Sequence, residues 1–338
     1  MKYTLVVPLA PERDAPILAC IKKLDYPKNK FHVVVVRGKN PSLNRNKAIE
    51  RAKGEYVVFL DDDAIIKEDY LKKIDEFLEK HSEIDVVGGP QLTPDDDNWF
   101  AKISGYAFSS RFGAWTLRNR YDLKHENLDA DETALTSANL VCKKKVVEKI
   151  KFDETLFPGE DPKFIEDVKK AGFRVAYTPS FVLYHKRRPT FRLLVKQIFN
   201  YGKVRPQKES FFQTVQKPFF LVPSLFVLYL LIVVGSLLYD PSFVGSGFSF
   251  ENDFETVRTG TITALTGNVI AIPKIFGMGF LFTLPLKIYM LLMFLFGLRD
   301  AGKHRNVKAV FILPFLYPVI HVSYGIGMLW GYVRKLWE

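Results

Sequence analysis

The chain has 338 residues, with 48 lysines and arginines against 37 acids, a net charge of +11 and two cysteines. That length excludes a minimal disulfide-stapled fold, and Cys20 and Cys142 show no metal spacing, so they read as reduced thiols of a cytosolic domain. The basic excess gathers beside apolar stretches, where anionic headgroups account for it, and a nucleic-acid partner is therefore not expected.

Met1-Lys2-Tyr3 runs straight into Thr4-Leu5-Val6-Val7 with no secretory signal before it, so the soluble half is expected to stay in the cytosol. Residues 2–8 and 32–37 are strand-like runs ending at Pro8 and Gly38, and Ile17, Leu18, Ile21 and Leu24 mark a helical face between them. A helix fits Ser42 to Ala52, with Gly54 closing it before the strand Tyr56-Val57-Val58-Phe59-Leu60. This alternation predicts an α/β fold with a doubly wound, mostly parallel sheet.

Asp61, Asp62 and Asp63 follow that strand directly. A buried parallel strand ending in acids delivers carboxylates to the edge where ligands collect in open α/β sheets. There they can hold a divalent cation with phosphate oxygens; the plain alternative is a solvated acidic turn. Tyr70, Leu71, Ile74, Phe77 and Leu78 then share a helical face, and Asp85 to Val87 starts a strand that stops at Gly88-Gly89-Pro90. Residues 91–136 have no clear period and carry Trp99, Phe100, Tyr106, Phe108, Phe112 and Trp115, which predicts a lid or a docking surface. Ser137 to Cys142 reads as a strand. Phe164, Ile165, Val168 and Ala171 read as a helix after Gly159-Glu160-Asp161, whose acids are either catalytic or ordinary first-turn residues.

Beyond a first domain at 1–189, residues 190–216 predict a basic amphipathic helix lying on a membrane surface. Eight basic residues run from Lys186 to Lys208 before the acid Glu209. The alternative is a solvated helix packed on the domain. Residues 217–338 predict about three spans, at 218–239, 275–298 and 309–333, the second broken by Lys287. Arg299, Lys303, Arg305 and Lys308 between the last two point inward. Asp240, Glu251, Asp253 and Glu255, against Arg258 and Lys274, point outward. Three spans put the C-terminus outside although it carries Arg334 and Lys335, and Pro314 and Pro318 allow a kinked or re-entrant segment.

Several short motifs stand in one order. They are Val6-Val7-Pro8, Arg45-Asn46 before Gly54-Glu55-Tyr56, the acids 61–63, Ser137-Ala138-Asn139 and Gly159-Glu160-Asp161. After them come Tyr184-His185-Lys186-Arg187-Arg188 and the pattern Q-x-x-x-Y-G-x-x-R from Gln197 to Arg205. This set resembles a membrane-attached family 2 glycosyltransferase of GT-A fold over nearly the whole chain. Gly88-Gly89-Pro90 and His321-Val322-Ser323-Tyr324-Gly325 resemble the exopolysaccharide branch, the succinoglycan type included.

The resemblance implies a cytosol-facing enzyme of a multi-pass cell-membrane protein. It would move one sugar, with inversion, from a UDP- or GDP-sugar to a polyprenyl-linked acceptor, using Mg²⁺ or Mn²⁺. It assigns Asp63 to the metal, Asp61 to metal and ribose, and Asp161 to deprotonation of the acceptor hydroxyl. His185 is assigned to the metal and, with Arg187 and Arg188, to the diphosphate, and Asn139 to the donor sugar. Pro8, Arg37, Arg45, Asp62, Glu160, Gln197 and Arg205 complete the donor site. Val36-Arg37-Gly38 stands where relatives carry a base-reading acid, so the nucleotide base stays open. Processive relatives carry Gln-x-x-Arg-Trp; here Gln197 is followed by Ile198-Phe199-Asn200-Tyr201, which favours single transfer. Transfer to a bare polyprenyl phosphate, and a non-catalytic membrane scaffold, are the competing readings.

Overall fold

A computed structural model describes residues 1–239 and 278–337. The acidic loop expected outside, with Asp240, Glu251, Asp253, Glu255, Arg258 and Lys274, and the start of the second expected span lie outside the described residues.

Three apolar runs form the strands β1 (Tyr3–Leu9), β2 (Phe31–Arg37) and β3 (Tyr56–Leu60). Shorter ones are β4 (Ala64–Ile66), β5 (Val86–Gly88), β6 (Gln91–Leu92), β7 (Asn139–Lys143), β8 (Val175–Tyr177) and β9 (Leu183–His185). The described residues make a six-stranded sheet ordered β2-β1-β3-β7-β5-β8 and a small sheet ordered β4-β9-β6. β1 pairs parallel with β2 and β3, and β5 parallel with β8, whereas β7 runs antiparallel to both neighbours. The mostly parallel, doubly wound arrangement is therefore present, with one reversed strand at its centre.

Every residue of β3 is buried, since helices cover both faces. Leu5, Val7, Val58 and Leu60 face α1 (Ile17–Lys22) and α3 (Tyr70–Lys80), while Val6, Val57, Phe59 and Cys142 face α2 (Pro41–Glu50). Asn40 caps α2, its side chain accepting from Leu43 N at 3.1 Å, with Pro41 preset at the first helical position.

The stretch 91–136 is more regular than its sequence indicates. It contains α4 (Trp99–Phe108), α5 (Arg111–Ala114) and a 3-10 turn over Trp115–Tyr121. Phe100, Ala101, Ile103, Ser104, Gly105 and Ala107 are all buried, so α4 is enclosed on most sides and shows no polar face to the sequence. The expected strand at 137–142 starts at Asn139 instead, after a turn. The shorter helices α6 (Lys144–Lys149) and α7 (Glu160–Lys170) follow.

Among the described residues, four helices and one turn-length helix follow: α8 (Phe191–Lys208), α9 (Phe211–Val215), α10 (Val222–Tyr239), α11 (Met278–Lys303) and α12 (Val307–Lys335). Among the described residues Val222–Tyr239, Phe282–Lys303 and Val307–Lys335 are long and apolar enough to cross a membrane. Two compact units divide the chain, residues 1–224 with 296–338, and residues 225–295. The final helix thus groups with the sheet, in contrast to the expected division at 217. In the smaller unit α10 and α11 pair antiparallel, with Phe226 stacked on Tyr289 at 4.4 Å and the Tyr229 hydroxyl donating to the Phe282 carbonyl at 2.8 Å.

The expectation that α8 rests its apolar face on lipid is corrected. Leu194, Ile198 and Gly202 are buried, and the cover is α12. A Cβ on Gly202 would strike the Tyr324 carbonyl, and one on Gly327 or Gly331 would strike the carbonyls of Phe199 or Lys203. Glycine lets the two backbones touch.

Candidate active site

β3 carries Asp61 to the sheet edge, and the pairing of β4 with β9 sets Ala64 opposite His185. The imidazole therefore meets the acids, with Nε2 3.0 Å from Asp63 Oδ1 and 3.6 Å from Asp61 Oδ2. Asp61, Asp63 and His185 each offer one ligand atom, all within 4.8 Å of one another. Two carboxylates and an imidazole suit a small divalent cation such as Mn²⁺ or Mg²⁺.

Arg45 reaches into this edge from α2. Its Nη2 lies 3.4 Å from Asp61 Oδ1, and its Nη1 donates to Glu160 Oε1 at 2.9 Å and lies 3.9 Å from Asp161 Oδ1. One buried guanidinium thus joins acids a hundred positions apart, and Asp61 and Asp161 stand on either side of it. Gly159 makes the turn into α7 with φ of 119°, a left-handed conformation that favours glycine. Asp161 then sits in the first turn, with Oδ1 buried and without a hydrogen-bond partner.

Charge is unevenly held here. Burial alone would raise the Asp63 carboxyl, yet its hydrogen bond to His185 and the Arg13 guanidinium hold it well below the usual carboxylate range. Asp61 moves the other way, because burial outweighs the attraction of Arg45 and His185. Burial, then the neighbouring Asp161, pushes Glu160 up to about 7 against the pull of Arg45. Burial would depress His185, but Asp63 and Asp61 hold it above its ordinary value. Burial thus raises the acids it dominates, Asp61 and Glu160, while Asp63, gripped by two cationic partners, is lowered.

Arg13 belongs to this edge although nothing in its sequence context singled it out. Its Nη2 donates to Asp63 Oδ2 at 2.6 Å and its Nη1 lies 3.2 Å from Asp62 Oδ1. Arg37, expected near the nucleotide, instead ties the loop that carries Arg13, donating from Nη1 to the carbonyls of Ala10, Pro11 and Arg13. A lone arginine between Pro11 and Pro16, in the short loop that follows β1, was the available signal.

The remaining residues divide. Pro8 lies in β1 opposite Val36, and Arg188 is exposed. The Asn139 side chain is enclosed, accepting from the Tyr70 hydroxyl at 2.6 Å and donating to the carbonyls of Pro90 and Phe181. Arg187 spends its guanidinium on Thr93, Tyr121 and the Gln91 carbonyl. Gln197 donates to the Tyr201 hydroxyl at 3.0 Å. Arg205 pairs with Glu209 at 2.7 Å and stacks over Phe220.

Residues 3–200 match the family model described as glycosyltransferase like family 2. None of the curated proteins matches the sequence. Among solved structures, S. aureus TarS 1-349 in complex with UDP-GlcNAc is 18% identical over 62% of this chain and 66% of that chain, with a TM-score of 0.42. The mannosyltransferase PcManGT from Pyrobaculum calidifontis in complex with GDP-Man and Mn²⁺ is 15% identical over 97% of this chain and 87% of that chain, with a TM-score of 0.49. Across three TarS structures the match spans 40%, 65% and 66% of the TarS chain, so less than two thirds of each.

Proposed function

Because the chain belongs to glycosyltransferase family 2, we propose that it moves one sugar from a UDP- or GDP-sugar to a polyprenyl-linked acceptor at the cytosolic membrane face, with inversion. The observation that carries this reading is the pairing of two sites on Arg45: the Asp61, Asp63 and His185 cluster on one side, Asp161 on the other. Nucleotide-sugar chemistry needs those two elements together, a seat for the departing diphosphate and an acceptor for the attacking hydroxyl's proton.

Asp61, Asp63 and His185 would hold Mg²⁺ or Mn²⁺, which when bound supplies Lewis-acid neutralisation of the diphosphate. Asp161 Oδ1, buried and free of hydrogen bonds, has an open lone pair for an incoming hydroxyl. It takes that proton as the hydroxyl oxygen bonds to the anomeric carbon. Arg45 holds Asp161 and Asp61 in fixed relation, so donor and acceptor sides keep their spacing. Asp61 and Asp63 belong to the cation seat and Glu160 is tied to Arg45, which leaves Asp161 as the base, and direct displacement, inverting the anomeric centre, is the fitting route.

Asp161→Asn in the purified protein tests the reading, with radiolabelled UDP- and GDP-sugars, Mn²⁺ and a lipid diphosphate-sugar acceptor. A loss of about 10²–10⁴-fold in turnover is the expected result. Full activity would instead favour a bare polyprenyl phosphate, already ionised, as acceptor. The absence of Mn²⁺-dependent turnover or donor hydrolysis with every sugar nucleotide would favour the scaffold.

A further inference from the structure

We propose that α12 lies along the membrane surface instead of crossing the bilayer, so that among the described helices α10 and α11 alone cross. The C-terminus then returns to the side of the sheet.

At 29 residues α12 is long enough to span, with a mean hydropathy of 1.7. What surrounds it argues otherwise. In the most apolar stretch of α12, 44% is buried in protein, against 17% for each of the other two helices. Towards its middle Tyr317 meets the Phe112 ring at 5.3 Å, and His321 Nε2 approaches the Phe112 carbonyl at 3.0 Å. Further on α8 runs parallel to it in nearly constant register, with Phe199 against Gly327, Lys203 against Gly331, and the Lys335 ammonium donating to the Pro206 carbonyl at 2.6 Å. A crossing α12 would carry α8 into hydrocarbon with it, together with the exposed Arg192 and Lys196 and the half-exposed Lys203. Charged side chains do not sit in that position without a partner.

The other face of α12 has one character. Val307, Phe311, Phe315, Ile326, Trp330 and Val333 are exposed and fall on a single helical face, Phe311 at 68% and Trp330 at 54%. Lys308 is the charged member of that face, and Arg334 and Lys335 close the far end. An apolar stripe with cations at both ends fits the boundary between acyl chains and anionic headgroups. Three residues, His304 to Asn306, connect it to α11, itself apolar enough to span, so the stripe begins beside a bilayer. The sheet and α12 also share one compact unit, which the chain leaves near residue 225 and rejoins near 295. An even number of crossings satisfies this, and it removes the conflict between three spans and a basic C-terminus.

The test uses the full chain carrying Cys20→Ser, reconstituted in vesicles of phosphatidylethanolamine and phosphatidylglycerol; Cys142 is buried and stays unlabelled. Trp337→Cys and Lys80→Cys are labelled separately with a membrane-impermeant maleimide before and after permeabilisation. The two positions are expected to label together; labelling on opposite sides overturns the proposal. Nitroxides at Phe315, Ile326 and Val333 are expected at one shared depth, about 5–10 Å below the phosphates. A depth that rises and falls along the helix means a span, and three fully aqueous positions mean that no lipid covers this face; either result overturns the proposal.

Discussion

Two clusters of buried charge in the sheet-containing unit differ in their arithmetic. At the sheet edge Asp61, Asp62, Asp63, Glu160 and Asp161 face Arg13, Arg45 and His185, an excess of acid among the described residues. Below α8, Glu132, Glu166 and Glu209 face Arg205, Lys208 and Lys217 one for one. Lys217 lies 2.6 Å from Glu132 and also pairs with Glu166, Lys208 lies 3.2 Å from Glu166, and Thr214 donates to Glu209 at 3.0 Å. The second cluster is closed on itself and holds α7, α8 and the segment before α10 together. The first is unsatisfied in the direction that a cation corrects. Net sign therefore separates a cluster that is complete within the protein from one that could hold a cation.

Substitutions sharpen this contrast from its largest effect down. Asp63→Ala should abolish transfer, by about 10³-fold or more, while lowering the thermal midpoint only modestly, because the pairs it makes with Arg13 and His185 are partly exposed. Calorimetry beside a turnover assay checks both halves, and a large loss of stability would break the comparison. Glu209→Ala should do the reverse, costing roughly 3–5 kcal/mol in denaturant unfolding by stranding Arg205, which is itself buried beneath Phe220.

Acid should reach the balanced cluster late. Burial would raise Glu166, but Lys208 and Lys217 lower it from its ordinary 4.5 to about 2. A lowered carboxylate stabilises the fold fully above its unfolded value, and that contribution is lost as the pH falls through the folded one. About 3 kcal/mol should therefore disappear between pH 4.5 and 2, measured as unfolding free energy against pH, and Glu166→Gln should flatten that slope. At the acid-rich edge the sensitive range is higher. His185 is held above its ordinary value and must be neutral to ligate, so Mn²⁺ affinity should weaken as the pH falls below neutral. The smallest effect belongs to Arg13, half-exposed and paired with Asp63. Arg13→Ala should shift stability by under about 1 kcal/mol and tighten Mn²⁺ binding severalfold by removing a competing cation, read by titration calorimetry.

Much of the acid-rich edge was legible because its parts are local. A buried strand running into three acids, and a glycine before two acids at a helix start, keep their meaning at short range. Arg45 stood in a helical stretch with no sign that it would bridge both motifs. The balanced cluster was not legible, since Glu132, Glu166 and Lys217 come from segments whose approach only the fold sets. The direction of β7 was equally hidden, because an apolar run has no polarity in its composition. The seam between α8 and α12 did leave a trace: Gly327 and Gly331 are four apart on a helix, the spacing of close helix contact. Hydropathy masked it, as a helix half-covered by protein and half by lipid scores like one that spans.

The reversed strand has an architectural consequence. β5 stops at Gly88 and β7 starts at Asn139 on that same margin, with Gly88 opposite Leu140. The chain between them departs and returns without crossing the sheet; Ala130, Ala134 and Leu135 pack against the sheet, while Phe100, Ala101, Ile103 and Ala107 are buried along α4. Such an excursion is a graft: α4 and α5 can be lengthened or traded between homologues while every ladder pairing stays in register. Whatever α4 and α5 touch can thus change while the ladder beneath them stays as it is.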